Sequence, residues 1–588
     1  MRYAVLATDY DGTLAEHGSV ASATSDALRE LAYTGRRLLL VTGRQLDDLR
    51  RVFSELELFD WLVVENGAVL HRPSTGETRV LSAPPPARFV AELKQRGVAP
   101  LAVGESIVAT WHPNEQIALD VIRDLGLELQ VIFNKGAVMV LPAGVNKATG
   151  VTQALKELGL SAHNLAAIGD AENDHALLEL AECSAAVANA VPMLKQRADI
   201  VMHGDHGAGV AELCELLIGS DLDEIGCVRE ERLLALGTRA DGRRVTIPPV
   251  GPNLLIAGSS GSGKSTLATS LLEQLLAHGY QCCVIDPEGD YGDLPEVIAL
   301  GSAKQAPESN AIASALDQPA TSMVLNLLGV KLADRPQFAA GLLLKLQEMR
   351  ARTGRPHWIL VDEAHHLLPA DWQPAAEVLS EATSSTIFVT VHPERLSPVV
   401  LAKIDIAAAV GEQPRARLES LGWDAPIQSE QDAALESGEA LIWLRDAGEA
   451  PFQISVRQGT IERRRHLRKY AEGELGEDRS FYFRGPHGRQ NLRAQNLVLF
   501  VQIGDGVDDQ TWQHHLRSGD YSQWIRESIK DEELAAHVRS VEHDAERLDP
   551  RASRDAIRRL IEARYTLPAS GLAPSDPHRV PKGRPAES

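Results

Sequence analysis

The chain has 588 residues, 44% of them apolar, and a single hydrophobic core stops growing well below that length, so we expect two or three domains. Its formal net charge of −22 opposes a broad attraction to nucleic acid or to anionic membranes. No apolar run approaches the roughly 20 residues of a membrane-spanning helix, and no export signal is evident, so we expect a cytoplasmic protein without a membrane partner. Five cysteines without metal-ligand spacing predict reduced thiols.

The first predicted strand ends in two carboxylates. Asp9 and Asp11 close the run "RYAVLATDYD", and they project from one face of the strand because alternate strand residues share a face. Two like charges this close need a cation or a shared proton. Carboxylate oxygens suit hard divalent ions, so the pair predicts a magnesium site.

Polar residues also follow other predicted strands of the first third of the chain. Thr42 follows "RLLLV", Asp170 follows "NLAAIG", and Lys147 lies in "GVNKATG". Strand-like and helical runs alternate here, which predicts an α/β domain with a largely parallel sheet over residues 1–219. The loops at the carboxyl ends of such strands build the site.

Four motifs occur in order in this region: "DYDGT", "TGR", the lysine of "NKATG", and "GDAEND". Together with "VANAVPMLKQRADIV" they resemble the haloacid-dehalogenase-type phosphatases, and in particular the Cof-type subgroup. Each acidic residue alone could be a turn former or a helix cap, but four motifs together leave that interpretation little room. The resemblance implies a Rossmann-like core with an inserted α+β cap at about residues 82–141. In the cap, Glu105, His112 and Asn134 are candidate substrate contacts.

The resemblance also implies a role for each motif residue. Asp9 would be the nucleophile that forms an aspartyl-phosphate, and Asp11 would protonate the leaving group and later activate water. Thr42 would hydrogen-bond the phosphoryl group, and Lys147 would neutralise charge on it and on Asp9. The implied magnesium ligands are Asp9, the backbone carbonyl of Asp11, and Asp170, with Asp174 or Asn173 behind it.

A second phosphate-binding motif stands in "NLLIAGSSGSGKST", where an apolar strand runs through small residues into a helical pattern. This is a P-loop in its required context, so it predicts ATP binding. Lys264 would reach the outer phosphates, and the Ser265 hydroxyl would bind Mg²⁺. The predicted cradle comprises Gly258, Gly261, Ser262, Gly263, Lys264, Ser265 and Thr266. Downstream, "HWILVDEAHHLLP" ends a strand in Asp362, predicted to hold magnesium through water, and Glu363, predicted to polarise the attacking water.

Two further stretches, "CCVIDPEGDYGDL" and "DEAHHLLP", resemble the HerA and FtsK-type branch of P-loop ATPases over about residues 228–461. That branch implies a ring-shaped homo-oligomer, most often a hexamer, in which a neighbouring subunit supplies an arginine; Arg395, Arg415 and Arg417 are candidates. His392 stands where relatives commonly place a glutamine sensor. Residues 221–460 carry 32 acidic against 19 basic side chains, which weakens the prediction of a nucleic-acid partner.

The last quarter carries no catalytic constellation. Residues 475–566 predict a mainly helical module of unknown function, with an amphipathic helix in "ASRDAIRRLIEARY". The Pro-rich end, residues 567–588, is predicted to be disordered. The predicted fold class is therefore α/β: a Rossmann-like phosphatase core with its cap, then an α/β P-loop domain, then a mainly helical module.

Three functions remain open from the sequence. The first is an enzyme with Mg²⁺ and ATP as cofactors: a phosphatase for a small phosphorylated metabolite, fused to an ATPase that regulates it or acts beside it. The second is a HerA-like nucleic-acid motor with an accessory nucleotide or end-processing phosphatase. The third is a non-enzymatic scaffold, which the complete sets of catalytic residues disfavour.

Overall fold

The computed structural model describes residues 1–134, 136–223, 225–226, 229–259, 261–292, 294–370, 384–423, 434–457, 459, 480–486, 488, 490–529, 531–544 and 547–565. The chain divides into two compact units, Met1–Gly459 and Thr460–Ser588. Among the described residues, no helix is both long enough and apolar enough to cross a bilayer.

An eight-stranded sheet organises the first part of the chain. Its strands are β1 Val5–Asp9, β2 Arg37–Val41, β3 Trp61–Val64, β4 Val69–Arg72, β5 Glu77–Val80, β10 Leu165–Gly169, β11 Cys183–Ala186 and β12 Ile200–Val201. The spatial order is β12-β11-β10-β1-β2-β3-β4-β5, and the strands from β12 to β3 are parallel. All residues of β1 and β10 are buried, which explains why they read as continuous apolar runs.

Helices cover this sheet. They are α1 Ser22–Tyr33, α2 Leu46–Val52, α5 Lys147–Leu158, α6 His175–Leu180, α7 Pro192–Arg197 and α8 His206–Ser220. Asn146 caps α5 by accepting from the Thr149 backbone, so this helix begins at Lys147. The N-cap residue Asn146 therefore starts α5 at Lys147, which the sequence predicts to be catalytic.

A smaller α+β body is inserted between β5 and α5, as predicted. It contains α3 Ala87–Gln95, β6 Ala102–Val103, β7 Val108–Trp111, α4 Glu115–Asp124, β8 Leu129–Asn134 and β9 Ala137–Pro142. Its strands form an antiparallel sheet in the order β6-β7-β9-β8. One face of this sheet packs on the two helices through Phe89, Leu93, Val108, Val121 and Val140, so the other face is left for the core. We call this body the cap.

An eleven-stranded sheet organises the rest of the first unit. Its strands are β13 Leu234–Thr238, β14 Arg244–Ile247, β15 Leu254–Gly258, β16 Cys282–Asp286, β17 Val297–Leu300, β18 Ser322–Asn326, β19 Trp358–Val361, β20 Thr386–Thr390, β21 Ile406–Val410, β22 Glu439–Leu444 and β23 Phe452–Val456. The order is β14-β13-β23-β22-β21-β15-β20-β19-β16-β18-β17, with β21 to β17 parallel. The helices are α9 Lys264–Ala277, α10 Ser309–Leu316, α11 Arg335–Thr353, α12 Ala364–Leu367, α13 Pro398–Ala402 and α14 Pro414–Glu419.

The second unit is mainly helical, as predicted. It contains the hairpin of β24 Phe481–Phe483 and β25 Leu492–Ala494, followed by α15 Leu497–Gly506, α16 Asp509–Ser518, α17 Asp520–Trp524, a π turn at Ile525–Ile529, α18 Glu532–His543 and α19 Pro550–Tyr565. Aromatic rings of Phe481, Phe483, Phe500, Trp512 and Tyr521 form its core. The predicted disordered tail, residues 567–588, lies outside the described residues.

The expectation for the cysteines is partly wrong. Cys183 is disulfide-bonded, whereas Cys214, Cys282 and Cys283 are buried free thiols.

The two large sheets of the first unit meet at a buried carboxylate. Glu182, which directly precedes β11, accepts hydrogen bonds from Arg2 at 3.0 Å, from the Tyr280 hydroxyl at 3.0 Å and from Arg232. His163 also bonds it at 2.8 Å through Nδ1, and the other ring nitrogen bonds the His278 carbonyl oxygen at 2.9 Å. The contacts lie at the amino ends of β1, β10, β11 and β16.

Charge pairing controls the protonation of this carboxylate. Burial alone would raise the pKa of Glu182, but the hydrogen bond from His163 and the charges of Arg232 and Arg2 hold that pKa well below its ordinary value. A carboxylate with a lowered folded-state pKa stabilises the protein above its unfolded-state pKa of 4.5, and this stabilisation is lost as the pH falls.

We expect Glu182→Gln to lower the free energy of unfolding by about 3 kcal/mol at pH 7, because removing one partner leaves buried cations uncompensated. The difference in Tm between variant and wild type should shrink as the pH falls below 4.5, since Glu182 then takes up a proton in the unfolded state while it stays ionised in the folded state. Calorimetric melts at pH 7 and at acidic pH measure this. Glu212→Gln is the control, because its partner His203 is 96% exposed, and it should change Tm little. Equal melts for both variants would contradict the assignment.

Candidate active sites

The first candidate site lies where β1 and β10 end side by side. These strands are parallel neighbours, with Thr8 opposite Ile168, so Asp9 and Asp170 emerge at the same edge of the sheet. Asp174 follows in the next turn of chain. Carboxylate oxygens of Asp9, Asp170 and Asp174 lie within 4.8 Å of one another, and all three residues are buried. This donor set has the chemistry of a site for a hard divalent cation.

Lys147 binds two of these carboxylates. Its ammonium lies 2.5 Å from Asp9 Oδ1 and 2.5 Å from Asp174 Oδ1, and its side chain is fully buried. The other oxygen of Asp174 accepts from the backbone N–H groups of Asp170 at 2.9 Å and Ala171 at 3.0 Å. Thr13 donates to Asp170 Oδ1 at 2.9 Å. Each group of the cluster is therefore held in place by at least one direct bond.

Burial and mutual repulsion act on these groups. Burial raises the pKa of Asp9 well above its ordinary value, and the neighbouring carboxylates of Asp174 and Asp170 add to that effect while Lys147 opposes it. Burial would lower the pKa of Lys147, but the charges of Asp174 and Asp9 outweigh it and raise that pKa. Three carboxylates and one ammonium leave two negative charges, which one divalent cation would balance.

Asp11 takes a different direction from Asp9. Its two oxygens accept from Nε and Nη2 of Arg44, each at 2.7 Å, and Nη1 of Arg44 reaches Asp48 at 2.6 Å. Because of this bidentate pair the side chain of Asp11 stays out of the carboxylate cluster. The implied contribution of its backbone carbonyl to a metal site stays a prediction.

A left-handed turn after β3 fixes the position of Lys147. Glu65, Asn66 and Gly67 all have positive φ. A Cβ on Gly67 would lie 1.9 Å from the carbonyl oxygen of Asn146, the cap of α5, so only glycine allows this approach. The backbone N–H of Asn66 donates to the carbonyl of Thr42 at 2.9 Å, which ties the turn to the loop that carries the predicted phosphoryl contact.

Glu65 joins the core to the cap. Its buried carboxylate accepts from three successive backbone N–H groups of the cap loop before β7, those of Glu105 at 2.9 Å, Ser106 at 2.7 Å and Ile107 at 3.1 Å. Sequence reasoning missed this residue, because a single glutamate at a strand end carries no motif. The position of the cap over the core depends on it.

A cavity of about 520 Å³ lies between core and cap and opens onto Asp9 and Asp11. Its core side carries Arg44, Asp48 and Arg51, and its cap side is the free face of the cap sheet. Of the three predicted cap contacts, Asn134 lines the cavity. The imidazole of His112 pairs instead with Glu115 at 2.8 Å.

The second candidate site is the loop between β15 and α9. Gly261 and Gly263 have φ of +76° and +103°, and the Lys264 ammonium donates to the Ser259 carbonyl at 2.9 Å. A Cβ on Gly258 would lie 2.5 Å from Val410 of β21, so this glycine permits the close packing of the loop. α9 begins at Lys264, and Ser265 and Thr266 follow it in the first turn.

Strand order brings distant acidic residues to this loop. Asp362 and Glu363 follow β19, and β20 lies between β19 and β15. Burial lowers the pKa of Lys264, an effect that the nearby charges of Glu363 and Asp362 oppose. Burial also raises the pKa of Asp362 well above its ordinary value. Glu363 has a strained φ of +41°, and its Oε2 lies 3.3 Å from Nδ1 of the buried His365.

Two groups near this loop were not predicted to lie there. Glu288, from the turn after β16, interacts with both Lys264 and Glu363. The positive charge of Arg417, on α14 of the same chain, lowers the pKa of Lys264. Its guanidinium donates to the carbonyls of Val391 at 3.0 Å and Glu412 at 3.1 Å. Sequence reasoning considered Arg417 only as a contribution from a neighbouring subunit. His392 follows β20, as predicted, and pairs with Glu394 at 2.9 Å.

Comparison with known proteins separates the two parts. Residues 6–118 and 115–213 match the family model described as haloacid dehalogenase-like hydrolase. A phosphoglycolate phosphatase of Methanothermobacter thermautotrophicus is 31% identical over 224 residues, which are 36% of this chain and 98% of that protein. The chain belongs to the haloacid dehalogenase-like hydrolase family.

Further matches come from a curated relative, a solved structure and a second family model. A phosphoglycolate phosphatase of Natronomonas pharaonis is 32% identical over 221 residues, 36% of this chain and 95% of that protein. A crystal structure of a Thermoplasma acidophilum protein matches with 16% identity and a TM-score of 0.33, covering 39% of this chain and 100% of that one. Residues 228–391 match the model described as AAA ATPase domain.

The comparisons confirm the predicted pairing of a haloacid dehalogenase-like hydrolase with an ATPase domain, and the predicted fold class. They do not specify the HerA or FtsK type. The structure brings Asp9, Lys147, Asp170 and Asp174 together. The side-chain amide of Asn173 instead donates to Asn66 Oδ1 at 3.2 Å.

We expect Gly67→Ala to lower phosphatase kcat/KM by at least about 10-fold, because the added methyl group collides with the residue that caps α5 and displaces Lys147. Gly76→Ala is the matched control: its φ is +72°, yet nothing lies within 4 Å of the added Cβ. Both variants should lose about 1 kcal/mol of stability from left-handed strain. Wild-type activity in Gly67→Ala would contradict the positioning role of this turn.

Proposed function

We propose that the first part of the chain is a magnesium-dependent phosphatase that hydrolyses a small phosphorylated metabolite through an aspartyl-phosphate. The observation that carries this proposal is the buried cluster of Asp9, Asp170 and Asp174 with Lys147, of which Asp9 lines the cavity between core and cap. The curated relatives are named phosphoglycolate phosphatases, so phosphoglycolate is the first substrate to compare.

The residues support a two-step reaction. Asp9, Asp170 and Asp174 would hold Mg²⁺, which when bound offsets the charge of the phosphoryl oxygens. A carboxylate oxygen of Asp9 attacks phosphorus, the bond from phosphorus to the leaving oxygen breaks, and Asp11 gives that oxygen a proton. Water then attacks the phosphorus, Asp11 takes a proton from it, and phosphate leaves Asp9.

Two contacts shape this reaction. Lys147 stabilises the charge that shifts between Asp9 and the phosphoryl group, and the Thr42 hydroxyl is the candidate donor to that group. Both oxygens of Asp11 accept from Arg44, so proton transfer requires this ion pair to open when substrate binds.

For the second site we infer ATP binding and hydrolysis. Lys264 and the glycine-rich loop would hold the outer phosphates, Ser265 and Asp362 would hold Mg²⁺, and Glu363 would polarise water. The adjacent strand ends that carry Glu288 and Glu363 support a HerA or FtsK-type ATPase, which would act as a ring. The excess of acidic residues weighs against the nucleic-acid motor, so an ATPase that regulates or accompanies the phosphatase is preferred.

Regulation is favoured by the junction at Glu182. His163, which bonds the His278 carbonyl at the end of α9, lies in the turn that leads into β10, and Asp170 directly follows β10. The helix that starts at Lys264 is thereby joined through rigid elements to a residue of the carboxylate cluster.

Asp9→Asn is expected to abolish Mg²⁺-dependent phosphate release from phosphomonoesters, because an amide oxygen is a poor nucleophile. ATP turnover, measured separately without phosphoester, should persist, since Asp9 lies in the other half of the unit. Purified variant and wild type are compared with phosphoglycolate and a panel of phosphorylated metabolites. Retained turnover of these esters in Asp9→Asn would remove Asp9 from catalysis.

Glu363→Gln is expected to bind ATP while hydrolysing it about 10²- to 10⁴-fold more slowly, the range of general-base contributions. Lys264 and the loop stay intact, so affinity should survive. Glu348→Gln is the control, because Glu348 is exposed on α11 and belongs to neither the loop, the Asp362–Glu363 pair nor the predicted sensor position. Light scattering of the ATP-loaded variant tests the ring. A persistent monomer removes the ring model, and undiminished hydrolysis removes Glu363.

A further inference from the structure

The cavity above Asp9 has two chemically different sides. The core side is polar, with the carboxylates of Asp9, Asp11 and Asp48 and the cations Arg44 and Arg51. None of the described cap residues that line the cavity is charged. Most of them are apolar: Ala102, Ile107, Ala109, Ala137 and Met139.

The register of the cap sheet explains this face. Trp111 pairs with Ala137, Ala109 pairs with Met139, and Asn134 pairs with Ala137, so these residues share the side of the sheet opposite its helices. Trp111 remains 54% exposed although it is the largest side chain of the face. Gly136 lies close to it, since a Cβ there would be 3.9 Å from the indole ring.

Asn134 adds one polar group to this apolar face. Its amide oxygen is buried and has no hydrogen-bond partner among the described residues. A buried acceptor without a donor is unfavourable unless a ligand supplies the donor. Asn134 and Trp111 each pair with Ala137, from its two neighbouring strands, so one ligand can contact both.

Both cations of the cavity lie on its core side. Arg44 is bonded to Asp11 and Asp48, and Arg51 is 75% exposed and lies 3.6 Å from Asp48. A leaving group that carries a carboxylate would therefore meet no available cation among the described residues of the cap side. A volume of about 520 Å³ also exceeds what a leaving group as small as glycolate fills, and it falls among pockets for larger organic ligands, roughly 300–1,000 Å³.

The geometry points to a substrate class: phosphomonoesters of an uncharged aromatic or heteroaromatic alcohol whose ring carries a hydrogen-bond donor. The phosphoryl group lies at Asp9, the ring stacks on Trp111, and the donor reaches the amide oxygen of Asn134. Trp111 and Asn134 are thus specificity-determining residues, while the chemistry stays with the core. This inference rests on the proposed phosphatase function.

Four primary alkyl phosphates test the assignment, because their ester chemistry is similar and their leaving groups differ. They are 3-hydroxybenzyl phosphate, benzyl phosphate, cyclohexylmethyl phosphate and phosphoglycolate. We expect kcat/KM to fall in that order, with at least about 10-fold between the first and the last. Aromatic stacking accounts for the step from benzyl to cyclohexylmethyl, and the donor to Asn134 for the step from hydroxybenzyl to benzyl.

Variants assign the effect to residues. Trp111→Ala should lower kcat/KM for benzyl phosphate about 10-fold more than for phosphoglycolate, mainly through KM. Asn134→Ala should remove the advantage of 3-hydroxybenzyl over benzyl phosphate. Phe133→Ala is the matched control, because Phe133 is 49% exposed on the neighbouring position of β8 and does not line the cavity. It should leave all four values unchanged.

The outcomes separate this inference from the phosphatase assignment. Higher kcat/KM for phosphoglycolate than for the aromatic esters, or equal losses in Trp111→Ala and Phe133→Ala, overturns the substrate class while the phosphatase stands. If no ester is hydrolysed, calorimetric titration of Asp9→Asn with 3-hydroxybenzyl phosphate and Mg²⁺ still decides. Binding that Trp111→Ala weakens about 10-fold supports the subsite without the phosphatase, and absent binding overturns it.

Discussion

The contact of the Lys147 ammonium with Asp9 and Asp174 is the interaction on which the first site depends. Three carboxylates within 4.8 Å in a buried place repel one another strongly, and such a cluster persists only with compensating charge. Lys147 supplies part of that charge from the first turn of α5. The remaining two negative charges make a divalent cation the natural complement, so the same electrostatics that hold the core together also prepare it for a metal and a phosphoryl group.

The position of Lys147 depends in turn on the backbone. Asn146 is the N-cap of α5, and the left-handed turn at Gly67 lets two backbone segments approach closely. Glu65, in the same turn, binds three N–H groups of the cap loop. One short segment therefore positions a charge beneath the substrate and a lid above it, which explains how a turn without catalytic chemistry controls the geometry of the site.

In both large sheets the two ends of the strands carry different groups. Their carboxyl ends carry the acidic residues and the phosphate-binding loops, and their amino ends carry the contacts around Glu182. Buried ion pairs tolerate little displacement because an unpaired buried charge is costly. The junction therefore joins the two halves as one compact unit.

The sequence by itself determined which residues are candidates for both sites, because motifs such as "DYDGT", "GDAEND" and "GSSGSGKST" combine the residue type with the end of a predicted strand. The resemblance of these motifs to a known family also implied the inserted cap at about residues 82–141. The tertiary structure decided what depends on sheet order. It placed β10 beside β1, so that Asp170 meets Asp9, and it brought Glu288 from the turn after β16 and Arg417 from α14 to Lys264. Three other features also depend on tertiary structure: the pairing of Asp11 with Arg44, the burial of Glu182 and the exposure of Trp111. No local sequence pattern predicts them, because they are set by packing between elements that are far apart in the chain.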